Sequence, residues 1–69
     1  MLDIEALRPF VALMEGEITY DMHSDSYRVH VSLGGGRFAT ASFGPTDSMD
    51  LALLVLSELA NTRNEATNG

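Results

Sequence analysis

The spacing of apolar residues changes along the chain and divides it into helical and strand-like segments. Near the N-terminus, apolar residues recur every three or four positions, at Ile4, Leu7, Val11 and Met14. This is the spacing of one helix face. Because Asp3 is a favourable N-cap and Gly16 a natural stop, we expect a helix over about residues 3–15, with a kink or a new start at Pro9.

After Gly16 the apolar period shortens to two, which is typical of β-strands. In a first segment polar residues alternate with Ile18, Tyr20 and Met22, and in a second with Tyr27, Val29, Val31 and Leu33. The composition of residues 23–26 predicts a turn between the two segments. Three glycines at 34–36 close a second hairpin, and we expect a third strand over about residues 37–43.

The glycine run leaves two registers open for the second hairpin. A three-residue loop gives the cross-strand pairs Val31–Ala39, Val29–Ala41 and Tyr27–Phe43. A two-residue loop turns Phe38 onto the apolar face instead, because a shift of one residue reverses every side chain. We expect the first register, because it gathers the apolar residues on one face and places small alanines where a helix can pack closely.

The Gly-Pro-Thr segment at 44–46 predicts the end of the sheet and the approach to a last helix. Either Thr46 or Asp47 can cap this helix, which we expect over about residues 47–62. The remaining residues, 63–69, are polar, and we expect a flexible tail there.

The predicted elements make one domain over residues 1–62. Their order is α-β-β-β-α, which predicts an α+β fold with a three-stranded antiparallel sheet and both helices packed on one face. Helices on one side of an antiparallel sheet are a standard two-layer arrangement.

The last predicted helix is apolar around most of its circumference. One stripe suited to the sheet contains Met49, Leu53, Leu56 and Ala60. Another group points elsewhere and contains Leu51, Leu54 and Val55. A helix without a polar face is buried on more than one side. Either the first helix covers this second group, or another subunit does, and we expect a homodimer that uses it as the interface.

Charge and composition exclude several classes of function. The 69 residues include ten acidic and four basic residues, all four of them arginine, for a net charge of −6. Such a field repels phosphate and disfavours nucleic-acid binding. The absence of cysteine excludes disulfides and thiolate metal sites. Because the N-terminus is acidic and the longest apolar run is short, we expect a cytoplasmic protein that does not enter the membrane.

The first turn contains residue types that can bind a divalent cation. Asp21, His23 and Asp25 alternate there, and His30 lies across the hairpin. The alternative, which we favour, is a polar turn whose side chains cap backbone groups. The triple glycine joins two strands and no lysine follows it, so it is no phosphate loop. We therefore expect no enzyme activity, no metal and no cofactor.

The face of the sheet away from the helices is the candidate contact surface. In the expected register it is polar apart from Phe38, with Arg28 and His30 on the same face and Arg37 adjacent in sequence. Aromatic residues and arginine dominate binding hot spots. We therefore expect Phe38, Arg28, His30 and Arg37 to bind a partner protein.

The segment Tyr27–Leu33, with its glycines, third strand, Gly-Pro-Thr turn and Ala/Leu-rich helix, resembles the second half of a double-stranded RNA-binding domain. The order of elements matches over nearly the whole chain. In that family, lysines at the start of the last helix bind RNA, whereas this chain has Asp47 and Ser48 there. The resemblance implies the fold, but the phosphate clamp is replaced by an acid.

The region from Tyr27 to Ala60 also resembles small phage and prophage proteins, including the phage ABA-sandwich domain. This resemblance implies a phage-encoded accessory protein in the host cytoplasm. We therefore expect a non-enzymatic protein-binding module that modulates or inhibits a bacterial host protein. The alternatives are a nucleic-acid-binding domain of double-stranded RNA-binding topology and a structural or assembly subunit.

Overall fold

The chain folds as two helices on one side of a three-stranded sheet. The structure is a computed structural model that describes residues 2–68. Its elements are α1 (Ile4–Leu13), β1 (Gly16–Asp21), β2 (Ser26–Gly34), β3 (Arg37–Phe43) and α2 (Met49–Asn68). The strands are antiparallel in the order β1-β2-β3. The predicted α+β class and the α-β-β-β-α order are confirmed.

Helix α1 begins where expected and ends slightly early. The Asp3 side chain accepts a hydrogen bond from the Ala6 amide at 3.3 Å, as an N-cap does. Pro9 lies inside one continuous helix. The residue that reverses the chain is Glu15, with a φ of 55°, rather than the glycine after it. Gly16 is instead the first residue of β1.

Gly16 is required for close pairing at the start of the sheet. It lies opposite Val31 in the β1–β2 register. A Cβ at position 16 would stand 2.1 Å from the His30 carbonyl oxygen and 2.9 Å from a Val31 methyl group. Any side chain larger than hydrogen would therefore push the two strands apart at this point.

The β2–β3 hairpin has the expected register but a different turn. The cross-strand pairs Val31–Ala39, Val29–Ala41 and Tyr27–Phe43 are all present. Gly34 pairs with Arg37, so the turn has two residues, and a bulge between Ser32 and Gly34 absorbs Leu33. All three glycines have positive φ, which L-residues rarely adopt. Leu33 in the bulge takes the place of the third loop residue that was expected, so the register is unchanged.

The core lies between the inner sheet face and the two helices. Helix α1 contributes Leu7, Val11 and the adjoining Met14; the sheet contributes Ile18, Val29, Val31 and Phe43; and α2 contributes Ala52, Leu56 and Leu59. Burial of each large aliphatic side chain stabilises the fold by roughly 1.5–3 kcal/mol. The inward residues of the sheet alternate with polar residues that face solvent, so the layer is apolar on one side only.

The start of α2 is capped by Ser48, not by either residue expected. The Ser48 hydroxyl accepts a hydrogen bond from the Leu51 amide at 3.1 Å. Asp47 closes the preceding turn instead, because its carboxylate accepts the Gly44 amide at 2.7 Å. Asp50 places negative charge in the first turn, where the helix dipole favours it.

Helix α2 continues past the expected end near residue 62 and reaches Asn68. Arg63 fixes this last part to the rest of the domain. Its Nε donates to the Ser32 carbonyl oxygen at 3.0 Å, and its Nη2 lies 3.5 Å from the Glu15 carboxylate. The boundary expected from polarity was therefore too early, because one long side chain anchors an otherwise polar turn. Gly69 lies outside the described residues, and the flexibility of the tail stays a prediction.

The buried stripe of α2 differs from the expected one. Ala52, Leu56 and Leu59 face the sheet, with Val55 half-buried beside them. Leu53, which was expected to lie on the sheet, is exposed. The helix is turned so that the small Ala52 approaches the sheet closely. Among the described residues, neither helix is long and apolar enough to cross a bilayer.

We predict that Gly16→Ala destabilises the fold by about 1–3 kcal/mol, because the added methyl group overlaps the backbone of β2. Gly44→Ala is the matched control. There a Cβ meets only the Asp47 carboxylate at 3.5 Å, so a change within about 0.5 kcal/mol is expected. Urea unfolding of both variants measures the difference. Equal stability of the two variants would contradict the tight β1–β2 approach.

Candidate functional site

The outer face of the sheet is open, because both helices pack on the opposite face. Its side chains are polar with one exception, and they are Glu17, Thr19, Asp21, Arg28, His30, Ser32, Phe38, Thr40 and Ser42. The exception is Phe38, which is 64% exposed and pairs with Ser32 across the hairpin. The expected register therefore places this ring on the surface, as predicted.

Arg28 shares this face with Phe38 but does not lie beside it. Arg28 pairs with Ser42, whereas Phe38 pairs with Ser32, four residues further along β2. That offset corresponds to roughly 13 Å along the strand. The Arg28 guanidinium lies 3.5 Å from the Asp21 carboxylate instead. Any contact of Arg28 with a partner therefore belongs to a different part of the face.

Arg37 does not join Phe38 on the outer face either. It pairs with Gly34 at the end of the hairpin. Because successive side chains of a strand alternate, Arg37 lies on the other side of β3 from Phe38. Of the four residues expected to form one contact site, the structure brings together Phe38 and His30 only.

A depression beside Phe38 contains two carboxylates that the sequence pattern did not single out. It has a volume of about 440 Å³ and is lined by Glu15, Gly16, Glu17, His30 and Phe38. Glu17 is opposite His30 in the β1–β2 register. The sequence was sufficient to place Glu17 on the outer face, because Glu17 alternates with the inward-facing Ile18 along β1. No such signal existed for Glu15, because its position depends on the left-handed backbone at the end of α1.

The electrostatics of this depression are dominated by negative charge. The Glu15 carboxylate is 3.5 Å from Arg63, which compensates part of its charge. Within residues 2–68, Glu17 forms no ion pair. His30 is half-buried between the carboxylate-bearing strand and β3. The depression therefore combines an exposed aromatic ring with an uncompensated carboxylate.

The first turn is held by hydrogen bonds that the side chains of Asp21 and Asp25 accept from nearby groups. The Asp21 carboxylate accepts the His23 amide at 2.9 Å, and the Tyr20 hydroxyl donates to the Asp25 carboxylate. The hydrogen bond from the His23 amide lowers the pKa of Asp21, and the hydrogen bond to Asp25 raises the pKa of Tyr20. Over the described part of the chain, no three His, Asp or Glu side chains are grouped to hold a metal ion.

A second surface is the apolar groove between α1 and α2. It has a volume of about 300 Å³ and is lined by Phe10, Leu13, Met14, Leu53, Leu56, Ser57 and Ala60. Phe10 is 53% exposed and Leu13 is 78% exposed. The sequence contained a signal for both, since they are apolar and lie beside the buried Leu7 and Val11 on α1. The single apolar stripe predicted for α1, with Ile4, Leu7, Val11 and Met14, does not include them.

The residues expected to form a dimer interface lie outside this groove. Leu51 is exposed, and Leu54 is 58% exposed on α2. Val55 differs from these two, because it is half-buried and packs against the core. The alternative that α1 covers the second apolar side of α2 does not hold for Leu51 and Leu54, which are exposed.

Comparison of the chain with protein-family models, with curated protein sequences and with solved structures found no match.

We predict that Phe38→Ala leaves the melting temperature almost unchanged, because the ring is largely solvated and surface changes stay within about 0.5 kcal/mol. Phe43→Ala is the matched control on the same strand. Phe43 is 4% exposed, and its truncation should cost about 3–5 kcal/mol. Thermal unfolding followed by circular dichroism compares the two variants. A large loss of stability in the Phe38 variant would place that ring in the core.

Proposed function

We propose that this protein is a non-enzymatic protein-binding module, and that a partner protein docks on the outer sheet face around Phe38. One observation carries the proposal: Phe38 stands exposed on a sheet face that neither helix covers. An aromatic ring in a polar surround is a typical anchor for a complementary pocket. The surrounding Thr and Ser side chains keep the free surface hydrated and form hydrogen bonds when a partner excludes water.

The net charge supports a protein partner with a basic surface. Ten acidic residues on so small a domain raise the rate of encounter with positive surfaces and slow encounter with phosphate. The resemblance to small phage and prophage proteins supports a phage-encoded modulator or inhibitor of a bacterial host protein, acting in the host cytoplasm. The proposed partner is therefore a protein with a basic surface.

A nucleic-acid-binding domain is the second candidate, and the shared α-β-β-β-α order supports it. The start of α2 argues against it. The Asp47 carboxylate is engaged by the Gly44 amide at 2.7 Å, so an acid is fixed where the RNA-binding family has lysines. Three of the four arginines, Arg8, Arg28 and Arg63, are already paired with carboxylates. Little positive charge is left to neutralise phosphates.

The test uses the tagged chain as bait in a bacterial lysate treated with nuclease. The expected result is capture of a specific protein by the wild type and at least tenfold weaker binding by Phe38→Ala, since hot-spot truncations cost about 2 kcal/mol or more. Thr40→Ala on the same face is the control and should bind normally. If Phe38→Ala captures the same protein with unchanged affinity, the proposed docking surface is wrong.

A gel-shift titration of the same protein preparation with duplex RNA tests the second candidate function, nucleic-acid binding. At about 0.15 M salt we expect no binding tighter than the roughly 10⁻⁴–10⁻⁶ M of non-specific complexes. Submicromolar binding that weakens as salt is added would favour the nucleic-acid function instead.

We further propose that the chain forms a homodimer through the apolar surface of its helices. A domain of this size gains only a small net stability from its own core. Large apolar side chains that stand in water on α1 and α2 favour association with a second copy. The interface expected from the sequence consists of Leu51, Leu54 and Val55, of which Leu51 and Leu54 are exposed and Val55 is half-buried.

Light scattering coupled to size exclusion should give about twice the 7.5 kDa chain mass at micromolar concentration. Leu54→Glu should yield the monomer, because an unpaired carboxylate buried in an interface costs several kcal/mol. Leu13→Glu introduces the same change in the groove between the helices and distinguishes the two apolar surfaces. A monomeric wild type over a tenfold dilution series would contradict the homodimer.

A further inference from the structure

The residues that line the depression beside Phe38 are suited to bind a positively charged side chain. Its lining combines an aromatic ring that is mostly exposed with the carboxylates of Glu15 and Glu17. The face of an aromatic ring attracts cations through its quadrupole. A carboxylate that lines the same depression attracts the same cation by charge and accepts its hydrogen bonds. These two attractions act together on a positively charged group that enters the depression.

Among residues 2–68, no arginine forms an ion pair with Glu17. Arg28 is paired with Asp21, and Arg63 compensates Glu15 from the side of α2. Within the described residues, Glu17 is left without an ion pair, and Arg37 lies on the other side of β3. The net charge of −6 adds a long-range attraction for a basic partner.

The shape of the depression allows a long side chain to enter. Gly16 forms part of the lining without any side chain of its own, and the volume is about 440 Å³. An arginine fits better than a lysine. Its planar guanidinium can stack on the Phe38 ring while its edge donates two parallel hydrogen bonds to one carboxylate. A lysine ammonium provides a single point of charge and is more strongly hydrated.

We propose that the depression receives an arginine side chain from the partner protein, with the guanidinium between the Phe38 ring and the Glu17 carboxylate. This inference rests on the proposed protein-binding function and adds the chemistry of the partner to it. The occupant belongs to a basic protein surface, since the same carboxylates repel nucleic acid and other phosphates.

The test is a titration of the ¹⁵N-labelled full chain with an acetylated hexa-arginine peptide, followed by amide chemical shifts. Hexa-lysine and hexa-glutamate peptides are run in parallel. The expected shifts concentrate at Glu17, His30 and Phe38, are larger for hexa-arginine than for hexa-lysine, and are absent with hexa-glutamate. Shifts spread evenly over the acidic residues of both helices would overturn the proposal.

Two substitutions and one control sharpen the result. Glu17→Gln removes the charge, and Phe38→Leu keeps apolar bulk but removes the ring, so each should weaken hexa-arginine binding roughly two- to fivefold. Glu58→Gln makes the same change of net charge on the exposed side of α2 and should leave the affinity unchanged. If Glu17→Gln and Glu58→Gln weaken hexa-arginine binding equally, the peptide responds only to the net charge of the protein, and the proposed arginine site is wrong.

The bait experiment separates failure of this inference from failure of the protein-binding function. If the wild type captures a protein and both Glu17→Gln and Phe38→Leu capture it equally well, the arginine site is wrong and protein binding stands. If hexa-arginine shifts the amide signals of the residues that line the depression while the bait retains no protein, the cation site stands and the proposed function is wrong.

Discussion

The alignment of β2 with β3 is the constraint on which the rest of this structure depends. Val29 and Val31 face the helices only because the hairpin pairs Ala39 and Ala41 with them, and that pairing requires one extra residue near the turn. The bulge at Leu33 supplies it. If the two-residue turn were kept and the bulge were lost, every side chain of β3 would exchange faces, so the two alanines would enter solvent and the large ring of Phe38 would enter the core.

This alignment determines both the packing and the open surface. Small side chains on the inner face of β3 let α2 approach closely, and Ala52 is completely buried at that contact. The ring of Phe43 fills the space at the far end of the strand. Since two helices cover one face of a three-stranded sheet, the other face has no intramolecular cover. The outer layer is polar apart from Phe38, and the exposed Phe38 ring lines the same depression as the Glu15 and Glu17 carboxylates.

Periodicity predicted the order of elements. It left two registers open for the β2–β3 hairpin, and the gathering of apolar residues on one face favoured the observed one, in which Phe38 is exposed. It did not predict the features that depend on single long-range contacts. The extension of α2 rests on Arg63 reaching the Ser32 carbonyl oxygen, which no local pattern reveals. The acidic lining beside Phe38 includes Glu15, whose position depends on its left-handed backbone just before β1. Arg28 was placed correctly on the outer face, but its distance from Phe38 depends on the β2–β3 register, in which the two residues are four positions apart along the strand.

The most direct test of this account is the solvent exposure of two phenylalanine rings measured in one sample. Relaxation of ring protons by a soluble nitroxide reports how closely the probe approaches each ring. The observed register of β3 predicts strong relaxation of the Phe38 ring, which is 64% exposed, and weak relaxation of the Phe43 ring, which is 4% exposed. Protection of the Phe38 ring with strong relaxation of Phe43 would mean that β3 is shifted by one residue, and the open face would lose its anchor.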